Sequence, residues 1–354
     1  MFSLPELIAG LTLVALTAYV VLGGADFGGG VWDLLARGER QREQRALIAD
    51  AIGPVWEANH VWLILVVVLL FTCFPAAFAT LGIVLHLPLS MMLIGIVARG
   101  TAFTFRTYDS RRDDVQRRWG RIFSIASLVT PVLLGVCVGA IASGRVGESA
   151  RVLGARGFVA GSFREIFVDP WLTPFSLAVG LLTLAAFAFL AAVYLTMETR
   201  DEALREDYRR RALGAAVAVF VTAFGALGIA LASAPTVGAS LMRSWWSLPF
   251  QLVTAAAALV AVWALWRRRF ALARVAAAAQ VTFILWGWGF AQYPMLIPPD
   301  LTIRSAAAPE RTLDLVLIAL VIGALVLFPS LGYLFRVFKS RDSALPPARP
   351  PEAG

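Results

Sequence analysis

The sequence predicts an all-α, polytopic integral membrane protein of about nine transmembrane helices. Three observations lead there. Of 354 residues, 59% are hydrophobic and 15% charged, whereas a soluble domain carries about 45–50% and about 25%. Apolar runs of about 20 residues, the length that crosses a bilayer, recur along the whole chain. The basic residues fall in short clusters between those runs, a loop pattern rather than a nucleic-acid-binding face, so the net charge of +8 implies no nucleic acid.

The runs lie at about 6–33, 52–74, 77–105, 119–142, 172–197, 212–233, 248–266, 270–292 and 313–337. Only Arg267-Arg268-Arg269 separates the seventh from the eighth. Alternate connections hold most of the basic residues: Arg37 to Arg45, Arg106 to Arg121, Arg200 to Arg211, Arg267 to Arg274 and Arg336 to Arg349. By the positive-inside rule that side is cytoplasmic, so the N-terminus is periplasmic and the C-terminus cytoplasmic. The start, Met1-Phe2-Ser3-Leu4-Pro5-Glu6, lacks the basic flank of a signal peptide, so the first run is expected to be retained.

Residues 1–339 read as one transmembrane helical domain and 340–354, with four prolines, as a disordered cytoplasmic tail. Ser143 to Trp171 is expected to be an ordered external loop. Glu198 to Arg211 mixes both charge signs at helical spacing and reads as a solvated helix extension. Cys73 and Cys137 lie inside apolar runs and read as inert buried thiols, and no metal-ligand spacing is present.

Ionisable groups inside spanning helices are costly and mark function. Asp26 follows Gly23-Gly24-Ala25, in a glycine cluster best read as a helix-packing face. Asp26 is expected about 13 Å deep, and Glu57 and Arg99 about 10 Å deep, on three consecutive helices. Convergence at one level allows two readings. One is a structural ion pair between Arg99 and a carboxylate. The other is a proton relay, in which two carboxylates sharing one arginine leave one poised to exchange protons. His60 lies on the Glu57 face and Asn59 lies between Trp56 and Trp62. His60 and His86, the only histidines, are expected at levels about 5–6 Å apart. Hydrogen bonding is the expected role of both, not haem ligation. Near the end of the eighth run, Trp286, Trp288, Gln292 and Tyr293 read either as an interfacial aromatic belt or as a contact with a partner subunit or a quinone ring.

The chain resembles subunit II of cytochrome bd-type quinol oxidases, including the cyanide-insensitive branch. The resemblance is carried by Gly24-Ala25-Asp26-Phe27-Gly28, Ile52 to Leu63, Leu70-Phe71, Phe74-Pro75-Ala76, Arg99 to Phe103, and Trp286 to Pro299 with Ala306 to Pro309. It covers nearly the whole chain. It implies a heterodimer in a bacterial inner (cytoplasmic) membrane with a subunit I that holds haem b, haem d and the main quinol site. The complex would oxidise ubiquinol and reduce O2 to water without pumping. This chain would not itself be catalytic and would ligate no haem or metal. A bound structural quinone, membrane lipid and a small single-helix subunit are further expected partners. The resemblance assigns Asp26 and Glu57 to a cytoplasmic proton path and Trp62 to the subunit contact. His60, which is not general in the family, is expected to join the path from its place beside Glu57, Arg99 and Asn59 to give structural or ion-pair support, and Trp56 to lie with Trp62 at the subunit contact or oxygen route. At the second motif many members carry Trp-Asp-Gly-Asn where this chain has Trp56-Glu57-Ala58-Asn59. A secondary transporter that couples protons through the same carboxylates is the alternative, although no internal repeat is visible.

Overall fold

The computed structural model describes residues 3–53, 56–108, 113–156 and 163–341. Pro54 and Val55 of the second motif, Arg111, Arg112 and the tail from residue 342 lie outside them. The first span, Leu4–Leu34, is α1 (Leu4–Ala18) and α2 (Gly24–Leu34) joined by a single π-turn at Tyr19–Gly23. It starts with Pro5 in the first turn, where a missing N–H costs nothing, and with Ser3 N donating to Glu6 Oε2 at 2.8 Å. Next come α3 (Gln41–Ile52), α4 (Trp56–Cys73), α5 (Pro75–Val84), α6 (His86–Tyr108) and α7 (Asp113–Ala142). They are followed by α8 (Arg145–Arg156), α9 (Phe163–Phe167), α10 (Pro174–Leu195) and α11 (Glu202–Ser233). The chain closes with α12 (Pro235–Arg243), α13 (Ser247–Trp266), α14 (Phe270–Gln292), a short antiparallel pair β1 (Met295–Ile297) and β2 (Leu301–Thr302), and α15 (Glu310–Arg341). Among the described residues, nine helices are long and apolar enough to cross a membrane.

Three expectations change. The run at 77–105 is not one helix: it breaks at Leu85, so the third span begins at His86 and Pro75–Val84 is a separate short apolar helix. Pro75 opens the first piece and Pro88 sits in the first turn of the second, the positions a helix tolerates for proline. The second span begins at Trp56, not residue 52, because Ile52 ends the amphipathic helix α3. The stretch from Ser143 to Trp171 holds helices α8 and α9 rather than loop alone. The solvated helix extension is found as expected, continuous with its span from Glu202: Asp201 caps α11 by accepting from Ala203 N at 2.7 Å and Leu204 N at 3.2 Å.

Between α13 and α14 the three arginines form a tight turn, with Arg268 at φ 56° in the left-handed region. Ion pairs tie connections of the same end together. Arg40 pairs with Asp207 and Arg268 with Glu206 at the arginine-rich end; Arg151 pairs with Asp300 and Arg304 with Glu6 at the other. The Arg151 guanidinium beside Asp300 holds that carboxyl below the usual carboxylate range.

α10 is the hub. Its residues Ala186 to Val193 are all buried, and it packs against α2, α7, α11 and α14. Gly28 lets α2 press on it: a Cβ there would meet the Phe187 carbonyl oxygen at 1.9 Å. Trp32 Nε1 donates to Ala188 O at 2.8 Å across the same contact. Cys73 and Cys137 are buried free thiols.

Candidate functional site

The polar interior lies where α2, α4, α6 and α7 meet. Asp26 is 4% exposed and its Oδ2 accepts from Asn59 Nδ2 at 2.8 Å. The π-turn just ahead of Asp26, a feature that often accompanies functional sites, precedes the change from the neighbours of α1 to those of α2. Arg99 is 2% exposed. Its Nε donates to Ser127 Oγ at 3.1 Å, and its guanidinium lies 4.6 Å from the Phe27 ring centroid and 5.3 Å from that of Phe123. Desolvated cation–π contacts of this kind contribute up to about 2 kcal/mol. Asp26 and Arg99 feel each other's charge. The direct ion pair expected between Arg99 and a carboxylate does not close, and Arg99 Nη2 is buried with no partner among the described residues.

Glu57 departs from the expected trio. It is the second residue of α4, exposed, and joins neither Asp26 nor Arg99. The reason is the later start of the helix: Ile52, counted as the start of the span, is the last residue of α3. Asn59, two residues on, points inward and takes the place expected of Glu57. The ring of His60 lies 6.1 Å from both Tyr19 and Phe27, and its Nδ1 bonds Trp56 O at 3.0 Å. A proton on Nδ1 then leaves Nε2 as an acceptor.

Two polar features escaped the sequence reading. Asp33, 2% exposed, lies two turns past Asp26 on α2; its Oδ2 accepts from Ser124 Oγ at 3.0 Å, and Arg45 Nε stands 3.9 Å from its Oδ1. Ser124, Ser127 and Thr130, all buried, form a hydroxyl stripe on α7 at three-residue spacing. That spacing inside an apolar run was the available signal. Gly30 makes room for it: a Cβ there would meet Ser127 Oγ at 2.3 Å.

His86 opens α6 and sits at the opposite end of the bundle from His60, not level with it. The 13 residues of α4 from His60 to Cys73 alone span about 20 Å. Its Nδ1 bonds Ile83 O at 2.9 Å and its ring packs edge-on against Phe167. The two histidines therefore do not fit one haem between them. Among the described residues, no group of three or more His, Cys, Asp or Glu side chains is placed to hold a metal ion.

A family described as cytochrome bd terminal oxidase subunit II matches residues 4–338. The chain belongs to that family. A subunit II of this kind is part of a quinol oxidase complex, an oxidoreductase, which replaces the transporter alternative. The chain is 23% identical over 327 residues to a putative cytochrome bd menaquinol oxidase subunit II of Bacillus subtilis, covering 90% of this chain and 91% of that one. It is 30% identical over 198 residues to subunit 2 of the cytochrome bd-I ubiquinol oxidase of Escherichia coli, covering 53% and 47%. The bd oxidase of Geobacillus thermodenitrificans contains a chain of the same fold, with TM-score 0.75, 24% identity and coverage of 95% and 99%.

In this bd subunit II three of the four polar aromatic and amide residues at the end of α14 and just after it bond within the chain. Trp286 Nε1 donates to Thr17 Oγ1 at 2.9 Å, Gln292 Nε2 to Leu296 O at 2.9 Å and Tyr293 Oη to Glu6 Oε1 at 3.2 Å. Trp288 Nε1 and Gln292 Oε1 are buried without a partner among the described residues. Trp56 and Trp62 are half-buried against the main core, with the Trp56 ring 5.9 Å from that of Phe103.

Proposed function

We propose that this chain serves a haem-bearing subunit I in a bacterial cytoplasmic membrane, arginine-rich end inside and N-terminus outside, and supplies it with protons through Asp26. The haems b and d of that partner would oxidise ubiquinol and reduce O2. The observation that carries the reading is one buried carboxylate, hydrogen-bonded to Asn59 and set beside an arginine it does not contact. A carboxylate locked in a bidentate pair with arginine is an anchor and holds its proton weakly. Asp26 is instead held by one neutral amide and closes no pair with Arg99, so it keeps an oxygen with which to take and release a proton. Arg99 is fixed by Ser127 and two rings, and acts on Asp26 through its field. His60, its ring between Tyr19 and Phe27, presents Nε2 as an acceptor beside that pair.

Asp26→Asn keeps the shape and the Asn59 contact and removes the exchangeable proton. In the purified complex it is expected to slow quinol oxidation about a hundredfold, the low end of what a positioned acid or base contributes, with an unchanged haem spectrum. Wild-type turnover would remove the relay and leave Asp26 a structural group.

A further inference from the structure

At the arginine-rich end, the turn after α2, the start of α3 and the first turns of α11 enclose an open cavity of about 400 Å³. Four arginines line it, Arg37, Arg40, Arg210 and Arg211, against two carboxylates, Glu39 and Asp207. The carboxylates do not balance them. Asp207 is engaged by Arg40, whose Nε and Nη2 donate to it at 3.0 and 2.8 Å, and by Gln44 Nε2 at 3.0 Å. Arg210 pairs with Glu206, outside the cavity, which also serves Arg209 and Arg268. Arg37, exposed, makes no ion pair or hydrogen bond among the described residues.

Arg211 is fixed without a carboxylate. Its Nη2 donates to Gln44 Oε1 at 2.7 Å, and its guanidinium lies 5.0 Å from the Tyr208 ring centroid and 5.6 Å from that of Trp32. Its Nη1 has no partner among the described residues. A guanidinium oriented in this way suits the oxygens of a phosphate, which its planar fork matches. Apolar surface adjoins the cavity. Leu34 and Leu35, both 43% exposed, lead from α2 to Arg37. On α11, Val217, Val221 and Phe224 follow Arg210 at intervals of seven, four and three residues, which is one helix face, and each is more than 60% exposed. Gly214, between Arg210 and Val217 on that face, has open space beside it. From Arg210 to Phe224 is about 21 Å, more than one leaflet of a hydrocarbon core about 30 Å thick.

We propose that this cavity binds the phosphate of an anionic ligand, and that the strip beside it makes that ligand a phospholipid of the leaflet on the arginine-rich side. The headgroup phosphate pairs with Arg37 and Arg211, with Arg210 at the rim, and an acyl chain lies along Val217, Val221 and Phe224. Basic pockets between helices at a membrane surface recognise anionic headgroups in this way. A zwitterionic headgroup carries its own cation and gains less from the surplus of arginine. A free phosphate shares the charge and makes no use of the apolar strip. The proposal does not depend on the reading of Asp26.

The test uses the intact oxidase, stripped of lipid in detergent and titrated with phosphatidylglycerol or phosphatidylcholine, with native mass spectrometry counting the lipids bound. The wild type is expected to hold one phosphatidylglycerol that Arg37→Gln/Arg210→Gln loses, a weakening of about thirtyfold for two basic residues at a membrane surface. Phosphatidylcholine is expected to bind both proteins alike. Inorganic phosphate is added in a separate arm that reads Tm. If it raises the Tm of the wild type alone while phosphatidylglycerol binds both proteins alike, the anion site stands and a phospholipid as its occupant is overturned. Equal lipid binding with no effect of phosphate overturns the whole proposal. So does an equal loss of lipid in Arg42→Gln/Arg267→Gln, which removes the same charge from the same end outside the cavity. Should the double variant fail to assemble, Arg37→Gln alone removes a side chain that bonds no described residue and is expected to weaken binding about fivefold; wild-type binding there overturns the proposal.

Discussion

The corner of the bundle around Arg99 and the last helix, α15, meet the membrane problem in opposite ways. Around Arg99, ionisable and hydroxyl groups are sealed among α2, α6 and α7, with Asp26, Asp33, Arg99, Ser124 and Ser127 each bonded to a named partner. In α15 none of the most apolar window is buried in this chain, and Leu325, Val326 and Phe328 are more than 60% exposed. Both segments read as apolar spans. Their difference shows that hydropathy reports which segments cross the membrane, while the identity of a few small and polar residues decides which of them face other helices of the same chain.

The largest effect on this contrast is expected from Arg99→Leu. It strips Asp26 of the nearby positive charge, and breaking a buried charged set typically costs about 3–5 kcal/mol. The expected outcome is little assembled complex after detergent extraction, read by size-exclusion chromatography with haem absorbance. Normal recovery would mean that Asn59 alone satisfies Asp26. Gly28→Val comes next. Its Cβ would press on the Phe187 backbone oxygen, which cannot move aside as a side chain would. Overpacking of this kind costs about 1–3 kcal/mol, seen as a lowered Tm of the purified protein. The smallest effect is expected from Leu325→Ala on α15, within about 0.5 kcal/mol in the isolated chain. A clearly larger loss of Tm in the whole complex than in the chain alone would make α15 a subunit contact and sharpen the contrast into one between internal and external packing.

Much of the architecture was legible in the sequence. Arg267 to Arg269 gave the turn between α13 and α14, and the arginine clusters marked one end of the bundle, which the Arg40–Asp207 and Arg268–Glu206 pairs then tie together. The break at Leu85 was not legible, because Pro75–Val84 and the start of α6 are equally apolar and a hydropathy window does not register a change of direction. The same blindness placed Glu57 too deep: α3 ends in Ala51-Ile52, which extend the apolar count across a turn. Of the candidate site, Asp26 and Arg99 stood out as charges in long apolar runs. Asp33 did not, because a carboxylate near the end of a run looks interfacial. Ser124 and Ser127 did not, because a hydroxyl in a helix is usually satisfied by the carbonyl one turn back and attracts no notice.

The wide turn at Tyr19–Gly23 has a consequence for chain length. Ile8 and Asp26 are 18 residues apart, five full turns of an ideal α-helix, yet Ile8 packs in the cluster with Leu69 and Cys73 while Asp26 meets Asn59. The turn absorbs about one extra residue, so the azimuths of the two halves are set independently. A single-codon deletion confined to those five positions would tighten the turn and spare both halves, whereas the same deletion in α2 would rotate Asp33 by about 100° relative to Asp26.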